Sequence, residues 1–215
     1  SSVGDAVAID CKDPANPIVR SINVNLTGLG LALCIIDCGA DHAALTNEYA
    51  SIPEEMSKVA AHFVKKVLRE VQEEDLLADL AQVRKEAGDR AVLRALHFYA
   101  DDRRAAEEAD ALERKDKEAF LNLVKESGRS SWELLQNITP AAAITHQDMA
   151  VALAVAEKAL NGKGACRVHG GGFAGTIQAF VPVEDVCEFK KTMETMLSEG
   201  CCHVLSIRPA GGLIL

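Results

Sequence analysis

The sequence predicts an α+β fold: a mostly antiparallel sheet, one face covered by helices, interrupted by a helical insertion. Three observations carry this. Apolar alternation and short apolar runs fill the first 38 residues. A long block of helical periodicity follows. A strand–loop–strand–helix–strand pattern then closes the chain.

In order, residues 5–11 alternate like a strand, and Pro14-Ala-Asn-Pro17 turns the chain. Residues 18–25 alternate again as a half-buried second strand. Gly28-Leu-Gly30 makes the next turn. Leu31 to Ile36 is a continuous apolar run, short enough for a central strand. Residues 39–52 are expected as a loop. A helix follows, with Ser51 as its N-cap, Pro53 early and Glu54 three residues after the cap. Val59, Phe63 and Val67 form its apolar stripe. Residues 73–86 and 88–112 read as two further helices, separated at Gly88. Residues 116–135 continue helical, with a break expected at Gly128 and Trp132 as a core anchor. Pro140 ends the block. Residues 146–160 are a small-residue helix, and Asn161-Gly-Lys-Gly164 turns into the strand that opens at Cys166. After Pro182 come an amphipathic helix at 184–198, a strand at 202–207, and Gly211-Gly212 before an apolar end.

Composition narrows the class. The 215 residues suffice for a core without staples, since a chain of this size buries roughly 70% of its unfolded surface. Apolar residues are 48%, charged residues 26%, and the net charge is −9, with no Lys/Arg cluster. A nucleic-acid or membrane-surface partner is therefore not expected. No apolar run reaches the length of a membrane-spanning helix, and no basic-then-apolar leader opens the chain. The seven cysteines are an odd number without zinc-finger spacing, and free thiols in a reducing cytoplasm are expected. Adjacent Cys201 and Cys202 beside His203 would ligate one tetrahedral metal poorly, so no metal site is expected. Asp101-Asp-Arg-Arg-Ala-Ala-Glu-Glu108 reads as a solvated helix face. The start at Ser1-Ser2 reads as the start of a fragment.

The most informative stretch is Arg167-Val-His-Gly-Gly-Gly-Phe-Ala-Gly-Thr176, with Gly170, Gly171, Gly172 and Gly175 in six residues. Such a turn either serves conformation alone or turns a row of N–H groups toward an anion. It is not a Walker loop, having no Gly-Lys-Ser/Thr, and it meets the dinucleotide fingerprint only loosely.

This stretch resembles the third signature of galactokinases, members of the GHMP small-molecule kinases, which reads roughly Arg-Met-Thr-Gly-Gly-Gly-Phe-Gly-Gly-Cys. Asn47-Glu-Tyr49 resembles their Ser-Glu-Tyr segment. Leu93-Arg-Ala-Leu-His97, Arg103 or Arg104, Ala111-Leu112, Asp116 and Phe120 resemble their helical run. The match keeps order and rough spacing over nearly the whole chain. His169 stands where the family has Thr or Ser, Ala174 replaces a glycine, and no arginine pair follows Tyr49.

The resemblance implies a ferredoxin-like GHMP-kinase C-terminal domain over residues 1–215, in which 1–25 could be strands continuing from a missing N-terminal domain. It implies transfer of the ATP γ-phosphoryl to the anomeric hydroxyl of galactose. The family's catalytic Arg and Asp and its phosphate loop are not in this sequence. The resemblance therefore implies no catalytic residue here, an inactive chain on its own, and ATP and Mg2+ held mainly by the missing half. Tyr49, Gly171, Gly172 and His169 would face the sugar. Gly170, Phe173 and Gly175 would support the phosphate loop. For Tyr49 the alternative is a half-buried loop aromatic, and for His169 a satisfied core histidine. A stand-alone sugar-binding or regulatory module is the competing function, and a mevalonate- or homoserine-type kinase a third. An apolar sheet face left uncovered by the missing half is expected to make the chain self-associate.

Overall fold

The computed structural model describes residues 6–39 and 45–206. The expected apolar C-terminal end, residue 207 of the last strand and residues 40–44 of the expected loop lie outside the described residues. Strands β1 (Ala6–Asp10) and β2 (Ile18–Ile22) form an antiparallel ribbon, with Ala6 opposite Ile22 and Asp10 opposite Ile18. β2 stops three residues short of expectation, because Val24 N–H turns back to Ile22 O at 2.9 Å in a three-residue turn.

The main sheet holds β3 (Leu31–Asp37), β4 (Ala165–Val168), β5 (Thr176–Pro182) and β6 (Cys202–Leu205). Its order is β4-β5-β3-β6, every pair antiparallel. That is the split βαβ order of a ferredoxin-like sheet, so the α+β expectation holds. Side chains alternate across it. Cys34, Ile36, Val168, Ile177, Ala179 and Val181 pack under α6 (Asp148–Leu160) and α7 (Val186–Met196). Leu31, Ala165 and Phe180 face the other way, onto the end of α4 (Asp89–Glu113) and onto α5 (Lys117–Ser130). Helices thus cover both faces, not the one expected. The central run of β5 is apolar on successive positions because both its faces are buried.

Between β3 and β4 lies the helical insertion: α1 (Thr46–His62), α2 (Glu73–Ala78), α3 (Leu80–Ala87) and the first half of α4. It has its own core of Val59, Ala60, Leu76, Val83, Ala91 and Ala95. At 25 residues α4 is about 37 Å long, enough to run from this core to the sheet.

Four local expectations are corrected. The helix expected from Ser51 starts five residues earlier, and Pro53 lies inside it. Ser51 does not cap; its hydroxyl donates to Glu48 O at 2.7 Å. That helix also ends before Val67, which is half-exposed. The single helix over 73–86 is two, broken at Asp79. Gly128 breaks nothing. It sits within α5, where a Cβ would meet Cys166 O at 3.1 Å, so its missing side chain lets α5 lie on β4. Trp132 is not a core anchor. It is 46% exposed in a π-helical turn, Ser131–Leu135, so the burial expected from its residue type does not hold there.

His62 fastens the end of α1 to α3. Its Nδ1 lies 2.7 Å from Glu86 Oε2 and its Nε2 2.8 Å from Asp79 Oδ2. Two carboxylate acceptors require both ring N–H groups, so the bound form is the imidazolium, and the Glu86 and Asp79 bonds raise the pKa above its ordinary 6.5. A raised folded-state pKa stabilises fully below the unfolded value and loses that contribution as pH climbs through the folded one. His62→Gln is therefore expected to lower the melting temperature at pH 6 and to match the unsubstituted chain well above the raised pKa. Melting curves across that range check it; a gap that widens with pH contradicts the clamp.

Candidate functional site: the glycine loop and its clamp

β4 and β5 meet across the loop 169–175. At its base His169 N–H donates to Thr176 O at 3.1 Å, and His169 Nδ1 lies 2.9 Å from Thr176 Oγ1. His169 is exposed, so the core-histidine alternative does not hold. Gly170, Gly172 and Gly175 have φ of 71°, 84° and 88°, and Phe173, a bulky side chain, is held at φ 60°. A left-handed conformation at a non-glycine residue costs energy and persists only where surroundings enforce it.

Two side chains enforce it. Tyr49, on the first turn of α1, donates its hydroxyl to Gly172 O at 2.8 Å. Its ring meets Phe173 edge-on, with centroids 5.5 Å apart at 85°. Burial raises the Tyr49 pKa, which keeps the hydroxyl protonated and donating. Asn137 grips from the other side. Its Nδ2 donates to Gly171 O at 3.1 Å, and its backbone O accepts from Phe173 N–H at 2.5 Å. Nothing larger than glycine fits at 172, where a Cβ would stand 2.1 Å from Asn137 O. At Gly171 a Cβ would meet Tyr49 Cε1 at 2.9 Å. Gly170 and Gly171 are exposed, and their N–H groups donate to no protein acceptor among the described residues.

The structure thus brings Tyr49, Gly171, Gly172 and Phe173 into one contact set. Gly170 lies on its exposed side. His169 and Gly175 stay at the base, Gly175 O accepting from Cys38 N–H at 2.8 Å. Beside the loop is a cavity of about 100 Å3 lined by Leu45, Pro140, His146, Asp148, Phe173 and Ala174. A wider, open depression of about 450 Å3 runs along α7, past Cys187, Lys190, Lys191 and Glu194; none of its lining residues belongs to the loop or to α1.

Sequence reasoning missed Asn137, which carries no motif. It also missed the tie behind the clamp. Arg94, fully buried, donates from Nε to Leu135 O at 3.1 Å and from Nη1 to Ser51 Oγ at 2.9 Å and Glu55 Oε2 at 3.0 Å. Glu48, within the Asn-Glu-Tyr segment, accepts from Ala141 N–H at 2.7 Å and so holds the segment after the π turn. Among the described residues no three His, Cys, Asp or Glu side chains are gathered to hold a metal ion. No helix there is long and apolar enough to cross a membrane.

The α+β sheet with its insertion is the fold of a solved sugar kinase, the Lactococcus lactis galactokinase complexed with galactose. It matches with a TM-score of 0.70 over 95% of this chain and 51% of that one, at 19% identity. In sequence the chain is 35% identical over 175 residues to the Homo sapiens galactokinase, covering 80% of this chain and 40% of that protein. It is 30% identical over 215 residues to the galactokinase of Canis lupus familiaris, 99% of this chain and 50% of that one. It is 29% identical over 187 residues to that of Glaesserella parasuis, 86% and 44%. No protein-family model matches. The chain belongs to the galactokinase family and spans about half the length of the curated relatives it matches, in agreement with a C-terminal half.

Gly172 and Gly170 separate the two constraints on the loop. Gly172→Ala adds a left-handed alanine and an overlap with Asn137, and is expected to cost about 2–5 kcal/mol. Gly170→Ala meets nothing within 4 Å and is expected to cost about 1–2 kcal/mol from conformation alone. Urea unfolding of both variants measures the difference. Equal losses would mean that Asn137 does not press on the loop.

Proposed function

We propose that this chain is the C-terminal domain of a galactokinase-like sugar kinase, which moves the γ-phosphoryl of ATP to the anomeric hydroxyl of galactose. The observation that carries this reading is the clamped glycine loop, in a chain of this family. Its exposed Gly170 and Gly171 N–H groups are fixed before any ligand arrives. Fixed donors stabilise charge on a phosphoryl or alkoxide oxygen without reorganising at the moment of reaction. Phosphoryl transfer depends mostly on such positioning and charge stabilisation.

In this reading the protein's own groups divide the work. Tyr49 holds Gly172 through its hydroxyl and offers its ring edge to the sugar. Gly171, Gly172 and the exposed His169 face the sugar, with His169 as a hydrogen-bond donor. Gly170, Phe173 and Gly175 support the phosphate loop of the other half. ATP and Mg2+ would be held mainly by that half, which would also supply the acid/base and phosphate-binding residues. The chain alone is inactive. Seven unpaired cysteines support a cytoplasmic protein. The exposed Val7, Ile9 and Val19 on one face of the ribbon support a partner surface, through which the isolated chain would self-associate.

A second reading, a sugar-binding module without catalysis, is favoured by the loop's completeness within this chain. A coupled assay with galactose, ATP and Mg2+ on this chain and on its full gene product distinguishes them. Turnover by the gene product but not by the chain is expected. Turnover by the chain alone refutes its inactivity. No turnover by either, with galactose binding in calorimetry, selects the module.

A further inference from the structure

We infer that Asn137 is a positioning residue that sets the conformation of the glycine loop. The inference rests on the reading above only in taking that loop as the ligand-binding element.

Two independent contacts carry it, both from one residue to both sides of Gly172. The carboxamide Nδ2 donates to Gly171 O at 3.1 Å, and the backbone O accepts from Phe173 N–H. Between them Gly172 passes so close that its absent Cβ would overlap three atoms of Asn137. Asn137 is 2% exposed, so its grip is not diluted by solvent. Its Oδ1 is buried with no partner. Leaving that atom unpaired costs stability, and the bond to Gly171 O is the side chain's one hydrogen bond among the described residues. The residue before it, Gln136, takes φ 56° and directs the chain back toward the loop.

The side chain also fits by elimination. Glutamine would carry one more methylene into the space that Gly172 already fills. Aspartate has the same shape but no donor while ionised. Its carboxylate would face Gly171 O and repel it. Once protonated, the same carboxyl can donate to Gly171 O and restore the bond. Burial disfavours the charged form, so its pKa would rise above the usual aspartate value.

The test uses the whole 215-residue chain, labelled with nitrogen-15, as itself, as Asn137→Ala and as Asn137→Asp. Amide exchange is read at Phe173 and at Ala179 of β5, and chemical shifts at Gly170 and Gly171. Each value is taken relative to the unsubstituted chain at the same pH, which removes contributions common to both from neighbours such as Glu48 and His169. Arg94 and Tyr49 do not titrate in the acid range. Asn137→Ala is expected to speed exchange at Phe173 by about fivefold or more, with Ala179 unchanged. Asn137→Asp is expected to do the same at pH 7 and to return toward the unsubstituted chain as the carboxyl protonates. Loss of a merely structural residue would loosen Ala179 with Phe173 and show no recovery in acid. Either result, or loop amides unchanged in both variants, overturns the inference. Galactose titration of the same samples is a separate readout. If the unsubstituted chain binds no sugar, the stand-alone module reading falls while the amides still decide Asn137. If sugar binding weakens with the loop amides unmoved, Asn137 acts otherwise than by positioning.

Discussion

The buried guanidinium of Arg94 is the interaction on which the site depends. A fully buried charge is tolerated only when paired and hydrogen-bonded, and breaking such a pair leaves an uncompensated ion. Burial lowers the Arg94 pKa, but from a value so high that the group stays charged. Its partners therefore have little freedom to move. Glu55 and Ser51 lie on α1, and Glu55 is further held by Arg90 at 2.5 Å. Leu135 O ends the π turn. Tyr49 stands two residues before Ser51, and Asn137 two residues after Leu135. Both jaws of the glycine-loop clamp are thus referred to one side chain in the helical insertion.

This explains how a strained loop persists in a short connection between two strands. Phe173 in the left-handed region and a glycine with no room for a methyl group are unfavourable taken singly. They are compatible once Tyr49 and Asn137 supply a donor to each of the Gly171 and Gly172 carbonyls, and Phe173 is buried beneath the Tyr49 ring. Both carbonyls are turned inward to those donors, while Gly170 and Gly171 remain at the surface. Conformational strain is here offset by side-chain donors that fix the loop's path, which a flexible glycine turn would lack.

The sheet was legible because its strands announce themselves through period-two alternation and Gly-rich turns, and because β5 needs apolar residues on both faces. The second covered face was not legible. It is built by α4 and α5, and periodicity tells which residues are buried but not against what. Pro53 misled the start of α1, since local cap chemistry pointed to Ser51 while tertiary contacts of Glu48 and Tyr49 extended the helix backward. Trp132 misled for a different reason: residue type pointed to the core, and no propensity marks the π turn that leaves it 46% exposed. In the site, the glycines and Tyr49 were legible from resemblance. Asn137 was not, because its role is fixed by a 3.1 Å contact across 34 residues of sequence and by no spacing at all.

The π turn also accounts for the spacing in Leu93-Arg-Ala-Leu-His97. Arg94 and His97 are three residues apart and so share a side of α4. His97, kept neutral because burial lowers its pKa, meets Ser130 Oγ at 2.8 Å, at the residue where α5 ends. Arg94 meets Leu135 O, where the π turn ends. The two side chains thus brace the turn at its entry and its exit, and that bracing sets where Asn137 emerges. Further along the same helical run, Asp116 caps α5 by accepting from Ala119 N–H at 3.0 Å, and Phe120 stacks edge-on with Phe180 at 4.9 Å. The residues that carry the resemblance in the helices are therefore scaffold. Arg94 and His97 fix the turn from which Asn137 emerges, while Ala111, Leu112 and Phe120 pack in the core on the α5 side of the sheet.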